Sequence, residues 1–127
     1  MNALDQAIEQ ALLTEGSNKE ANKAYLEFIK ANFIIPVEKG TAQEPIVLYL
    51  EDNGQIFLPV FTEMMYFDAW AFDISDSIEV LKLSGVDLLK GIGENVIVSL
   101  NIGTKLYKEF NPAELARMRS MVLKLFK

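Results

Sequence analysis

The side chains able to do chemistry in this sequence are carboxylates, lysines, tyrosines and hydroxyls, because histidine and cysteine are both absent. Without His there is no ordinary general base near neutral pH, no Ser–His triad and none of the commonest zinc ligand. Without Cys, disulfides and thiolate sites are excluded. Catalysis would have to run through carboxylates, Lys, Tyr or a hard cation, and no recognisable catalytic constellation of these is present. We therefore expect no enzyme, no cofactor and no metal. Glu63, Asp68, Asp73, Asp76 and Glu79 form an acidic stretch of the oxygen type that hard cations want. Its spacing matches no EF-hand loop, and a solvated surface explains it. "GVDLLKGIGENV" carries Gly85, Gly91 and Gly93 but fits neither G-x-x-x-x-G-K-[ST] nor G-x-G-x-x-G. A helix end at Gly91 and a turn at Gly93 account for it. "NIGTK" at 101–105 follows a dense β run, at the kind of strand end where α/β sheets bind small ligands. Thr62, Asn101 and Lys105 are the ligand candidates there. A tight turn through Gly103 explains the same residues, and both readings stay open.

A second constellation is apolar. Residues 57–70 read "FLPVFTEMMYFDAW". On a helix over 63–72, Met64, Met65, Tyr66, Phe67, Ala69, Trp70, Ala71 and Phe72 cover nearly every face, and only Glu63 and Asp68 are polar. A helix apolar all round is buried on all sides or sits at an interface. A chain of 127 residues has little room to bury one completely. Phe61, Met64, Met65, Phe67 and Trp70 are thus interface candidates, being of the residue types enriched at protein contacts.

The elements that must position these groups follow from periodicity. Leu4, Ile8, Ala11 and Leu12 share a face in "ALDQAIEQALL", with Gly16 as its stop. Ser17 and Glu20 have capping-box spacing before a second helix carrying Ala21, Tyr25, Phe28 and Ile29. "FIIPV" at 33–37 reads as a short strand, at an edge or a strand end because Pro36 cannot donate to a ladder. Asn53-Gly54 sits between two β-rich runs, the pair a type I′ hairpin turn requires. That turn sets Asp52 against Gln55, Leu50 against Phe57, Leu48 against Pro59 and Ile46 against Phe61. "IVLYL" is apolar on both faces, as in a sheet covered on both sides. Thr62 is placed to cap the 63–72 helix.

Further on, "SIEVLKL" at 77–83 is a strand, Ser84 and Asp87 cap a short helix at 85–91, and "NVIVSLNI" is the candidate central strand. "GTKLYKEF" reads as one more strand. Asn111, Pro112 and Glu114 open a C-terminal helix over 112–126, with Leu115, Met118, Val122 and Leu125 on one stripe. Arg117 and Arg119 point away from that stripe, towards surface contacts. The expected architecture is one α+β domain over 1–127, with a mixed sheet of about five strands containing the 46–61 hairpin.

Charge bounds the partners. The net charge of −6 argues against nucleic acid, whose phosphates need Lys and Arg. The charge is unevenly spread: no basic residue lies between Lys39 and Lys82, while 105–127 is rich in Lys and Arg. Such a split is either complementarity within the chain or two faces that meet in an oligomer. No run approaches the ~20 apolar residues of a membrane helix, and "MNALDQAIEQ" lacks the basic start of a signal peptide. The expected compartment is the cytoplasm.

Residues across about 3–125 resemble the N-terminal domain of the SseB family, the bacterial "enhanced serine sensitivity" proteins. The likeness rests on "FIIPV" after a helix pair, then "IFLPVFTEMMYFDAW", "SGVDLLKGIGENVIVSLNIGTK" and "FNPAELARM". Leu58, Pro59, Val60, Phe61 and Thr62 match a family strand end that leads into a helix bearing a Trp, here Trp70. Asn101 and Gly103 match an Asn-Pro-Gly-type turn, with Ile102 in place of the proline. The resemblance implies an α/β or α+β fold and a bacterial cytoplasmic protein, with no defined activity. It also implies correspondence to the N-terminal half of longer members, without their C-terminal domain. The combined expectation is a non-catalytic protein-interaction module, a homo-oligomer or one with a protein partner, associating through the 57–72 region. The alternative is a small-ligand-binding domain using Thr62, Asn101 and Lys105.

Overall fold

The computed structural model describes residues 2–13, 18–40 and 43–125. Gly16, the Ser17–Glu20 capping box and Phe126 lie wholly or partly outside that range, as do the side chains of Leu12 and Leu125. Helix α1 (Ala3–Leu13) starts at Asn2, whose side-chain oxygen accepts the Asp5 N–H at 2.7 Å. Its buried residues include Leu4 and Ile8, which pack with Tyr25, Phe28 and Ile29 of α2 (Asn18–Lys30). Burial and a hydrogen bond to Glu114 push the Tyr25 phenol up to about 12, so it remains a neutral donor.

Strand β1 (Asn32–Glu38) follows α2 almost at once, and every residue from Phe33 to Val37 is buried. It pairs antiparallel with β4 (Ile78–Ser84), Ile35 opposite Leu81. The placement of "FIIPV" at an edge is corrected here: β1 is an interior strand. Its other side meets Phe61 through Ile34, and residues 46–48 through Pro36 and Glu38. Pro36 is tolerated because its amide position faces 46–48 rather than β4. Its carbonyl accepts the Leu48 N–H at 3.0 Å, and no β4 bond is lost.

The hairpin is formed by β2 (Leu50–Asp52) and β3 (Gln55–Val60), with Asn53 at φ 51° and Gly54 at φ 80°. Leu50 faces Phe57 and Asp52 faces Gln55, as the turn dictates. Beyond Leu50 the expected register does not continue. Pro59 has no N–H for Leu48, and β1 offers open backbone groups instead, so Val47 bridges Val37 and Phe61 bridges Ile34. β3 then runs parallel to β5 (Val96–Leu100), Val60 beside Leu100, and β5 pairs antiparallel with β6 (Lys108–Phe110). The described strands number six, in a two-stranded sheet β1–β4 and a four-stranded sheet β2–β3–β5–β6, joined through the β1 bridges. β5 is central, as its composition indicates. β6 is shorter than "GTKLYKEF" because Asn101 and Gly103, both at positive φ, coil residues 101–107 into turns.

Helix α4 (Gly85–Gly91) is capped by Ser84, whose hydroxyl accepts the Asp87 N–H at 3.1 Å. Gly91 ends the helix, but the capping residue is Ile92, whose N–H reaches the Leu88 carbonyl. Helix α5 (Pro112–Leu125) opens with a reciprocal box. Asn111 accepts from Glu114 N–H at 2.9 Å, and Glu114 accepts from Asn111 N–H at 3.2 Å. Arg119, expected at a surface contact, instead donates to the Leu89 and Ile92 carbonyls and ties α5 to the end of α4. Arg117 is exposed. The main core lies between these helices and one face of the sheets, with Phe28, Phe33, Phe110 and Met118 fully enclosed. A second, smaller cluster underlies helix α3 (Met64–Trp70) and contains Ile34, Phe61, Phe67 and Ala71.

Candidate functional site

The carboxyl ends of the parallel strands β3 and β5 sit side by side, so Thr62 and Asn101 are brought together. Asn101 adopts φ 53°, the left-handed conformation that Asn tolerates better than most residues. Its backbone N–H bonds to the Val60 carbonyl at 2.8 Å, and its side-chain oxygen accepts the Thr62 N–H at 3.0 Å. The third member comes from far upstream. Asp5, on the first turn of α1, accepts from the Thr62 hydroxyl at 2.9 Å, the Asn101 amide at 3.1 Å and the Asn2 amide at 3.0 Å. The Asn2 amide also donates to Glu63 at 2.8 Å. Asp5 and Asn101 are both 0% exposed. Among the described residues no buried side-chain polar atom lacks a partner. Two of the ligand candidates therefore form a closed knot that ties α1 to both strand ends.

Sequence reading missed Asp5, because a lone acid near a helix start reads as an ordinary first-turn charge. It also assigned Thr62 a different job. Glu63 is the N-cap of α3 and makes no side-chain cap bond, while the Thr62 hydroxyl is turned inwards to Asp5. Lys105, the third ligand candidate, stands exposed in the 101–107 turn. A cleft of about 280 Å³ lies beside the knot, lined by Asn2, Glu27, Lys30, Asn32, Thr62 and Glu63 among others. Lys30 pairs there with Glu27 at 3.5 Å.

Burial holds the Asp5 carboxyl above its ordinary value, because desolvation of the charge outweighs the hydrogen bonds from Thr62 and Asn101, and Glu63 adds to the rise. A raised folded-state pKa means that the native state binds the proton more tightly than the unfolded chain. Relative to Asp5→Asn, which cannot titrate, the wild type should lose stability as pH climbs from below 3.8 through the higher folded-state value, then level off. Urea unfolding of both proteins across that range measures the difference. A difference that grows in favour of the wild type with rising pH would contradict the assignment.

The apolar constellation divides sharply. Phe61 and Phe67 are buried, at 0% and 6% exposure, and offer nothing to a partner. Their rings meet edge to face at 5.7 Å, and Trp70, half-buried, closes over them with its ring 5.4 Å from Phe61. Met64 and Met65 point the other way and are 40% and 70% exposed. α3 stops at Trp70, earlier than the expected 72, and the following turn leaves Phe72 81% exposed and Ile74 38% exposed. The acids Asp68, Asp73 and Asp76 are exposed alongside. Among the described residues no three acids are grouped so as to hold a metal ion, and no helix is long and apolar enough to cross a membrane.

Fold and site together define a small α+β domain whose conspicuous surface feature is apolar and whose buried polar cluster is internally satisfied. The family model described as the SseB protein N-terminal domain matches residues 4–117, and the chain belongs to that family. Comparison with curated proteins and with solved structures found no match.

Proposed function

We propose that this domain is a protein-interaction module of the bacterial cytoplasm that self-associates through the outer face of α3 and the turn after it. The observation that carries this reading is the exposure of Phe72 at 81% and Met65 at 70% within one short segment. Large apolar side chains grouped on a surface mark contact sites, and Phe and Met are favoured at their centres. A second copy is the partner because the flanking acids Asp73 and Asp76 find an opposite charge on the same face of the same chain, at the exposed Lys82.

The test is the double variant Met65→Asp with Phe72→Asp. Both side chains lie outside the core, so the thermal midpoint should barely move, surface changes being worth within about 0.5 kcal/mol. Size-exclusion elution at high concentration should shift from an associated form to the monomer. An elution volume identical to that of the wild type would overturn the reading.

A further inference from the structure

Strand β4 pairs with β1 along one edge, and no described strand pairs with its other edge. The even residues of β1 turn their backbone groups away from β4: Ile34 exchanges both bonds with Phe61, and Pro36 and Glu38 serve residues 46–48. The odd residues of β1 must therefore serve β4. Their register partners Glu79, Leu81 and Leu83 are the β4 residues whose N–H and C=O point inwards. The flanking bonds, Lys39 N–H to Ser77 and Gly85 N–H to Ala31, fall in the same alternation. It follows that the backbone groups of Ile78, Val80 and Lys82 point outwards. Among the described residues none of them has a backbone partner. β4 is seven residues long, carries no proline or glycine, and exposes Val80 at 39%. Natural proteins blunt such edges, because an open row of donors and acceptors recruits another strand.

We propose that β4 pairs antiparallel with β4 of a second copy about a two-fold axis at Val80, joining the two β1–β4 sheets into one. This rests on the self-association proposed above and names its backbone component. Outward groups must meet outward groups, and a two-fold axis normal to the sheet keeps each side chain on its own face. Two central registers satisfy both conditions. Centring on Leu81 sets Lys82 opposite Val80 and diagonal to the Lys82 of the second copy, a like-charge contact. Centring on Val80 sets Lys82 opposite Ile78, at the strand end preceded by Asp76 of the second copy, and so joins opposite charges. The face shared by Ile78, Val80 and Lys82 is also the α3 side, since Ile78 packs against the Phe61–Phe67 cluster. The edge and the exposed Phe72 turn thus belong to one continuous surface.

Amide hydrogen exchange of the wild type, followed from micromolar to millimolar concentration, tests this directly. In dilute solution the Val80 and Lys82 amides should exchange freely while those of Glu79, Leu81 and Leu83 are protected. At high concentration, as the mass doubles, Val80 and Lys82 should become protected. Val80→Lys should weaken the dimer by about tenfold or more, since lysine guards an edge. Doubled mass with Val80 and Lys82 still unprotected would overturn edge pairing and leave self-association through α3 standing. A chain monomeric throughout would overturn both, leaving the edge to a strand from another protein.

Discussion

Gly85→Ala should remove about 3 kcal/mol or more of stability, at the upper end of what one added methyl costs in a packed interior. A Cβ on Gly85 would stand 2.0 Å from the Phe28 carbonyl oxygen and 2.9 Å from that of Ile29. Both are backbone atoms at the end of α2, and neither can swing aside as a side chain would. The Gly85 N–H also bonds to the Ala31 carbonyl at 2.8 Å, so the start of α4 is pinned against the end of α2. Making room means lifting α4, and with it the buried Leu88 and Leu89, off the main core. Gly91, at the other end of the same helix, meets nothing within 4 Å. Gly91→Ala should therefore gain about 0.5–1 kcal/mol from the loss of glycine's freedom in the unfolded chain. Urea denaturation checks both, the midpoint moving down for one and up for the other at a constant slope. Equal midpoints for the two variants would sink the close-approach account.

Asn101→Ala should cost about 2–4 kcal/mol, from a buried donor left unpaired and a left-handed residue that alanine disfavours. The substitution orphans the Thr62 N–H and takes the amide donor from Asp5, whose carboxylate then loses one of the bonds that offset its burial. Asn101→Gly separates the two causes. Glycine accepts φ 53° freely, so it should recover about 1 kcal/mol while the hydrogen-bond loss persists. Asn101→Asp keeps the acceptor for Thr62 but sets a second carboxylate against Asp5 inside the knot. Two buried like charges cannot both ionise. This variant should be weakest at neutral pH and recover as acid supplies the shared proton, measured by thermal unfolding across pH. A loss of the same size for Ala and Gly would assign the whole effect to the side chain. A negligible loss for both would remove the knot from the account of stability.

Local rules in the chain were readable where the chemistry is local. Asn53-Gly54 forms its hairpin turn, Asn111 and Glu114 cap each other, and Ser84 caps α4, because each needs only neighbours in sequence. What failed depended on distant groups. Thr62 has the type and position of a helix cap, yet Asp5, 57 residues earlier, takes its hydroxyl. Leu48 and Pro59 lie opposite each other on a simple hairpin, yet β1 draws 46–48 away because Pro59 has no N–H to offer. Gly85 looks like any glycine at a helix start until the carbonyl of Phe28 is placed beside it. The apolar run was visible as too greasy for a lone surface helix. Which residues face inwards was settled by Ile34 and Ala71, which enclose Phe61 and Phe67 and leave Met65 and Phe72 outside.

Sedimentation equilibrium of the wild-type chain from micromolar to millimolar concentration shows whether this apolar face and the adjoining β4 edge receive a second copy. The weight-average mass should climb from the monomer value of 14.3 kDa towards twice that figure, and Met65→Asp with Phe72→Asp should hold it near 14.3 kDa over the same range. A wild-type mass fixed at 14.3 kDa up to millimolar concentration would contradict self-association.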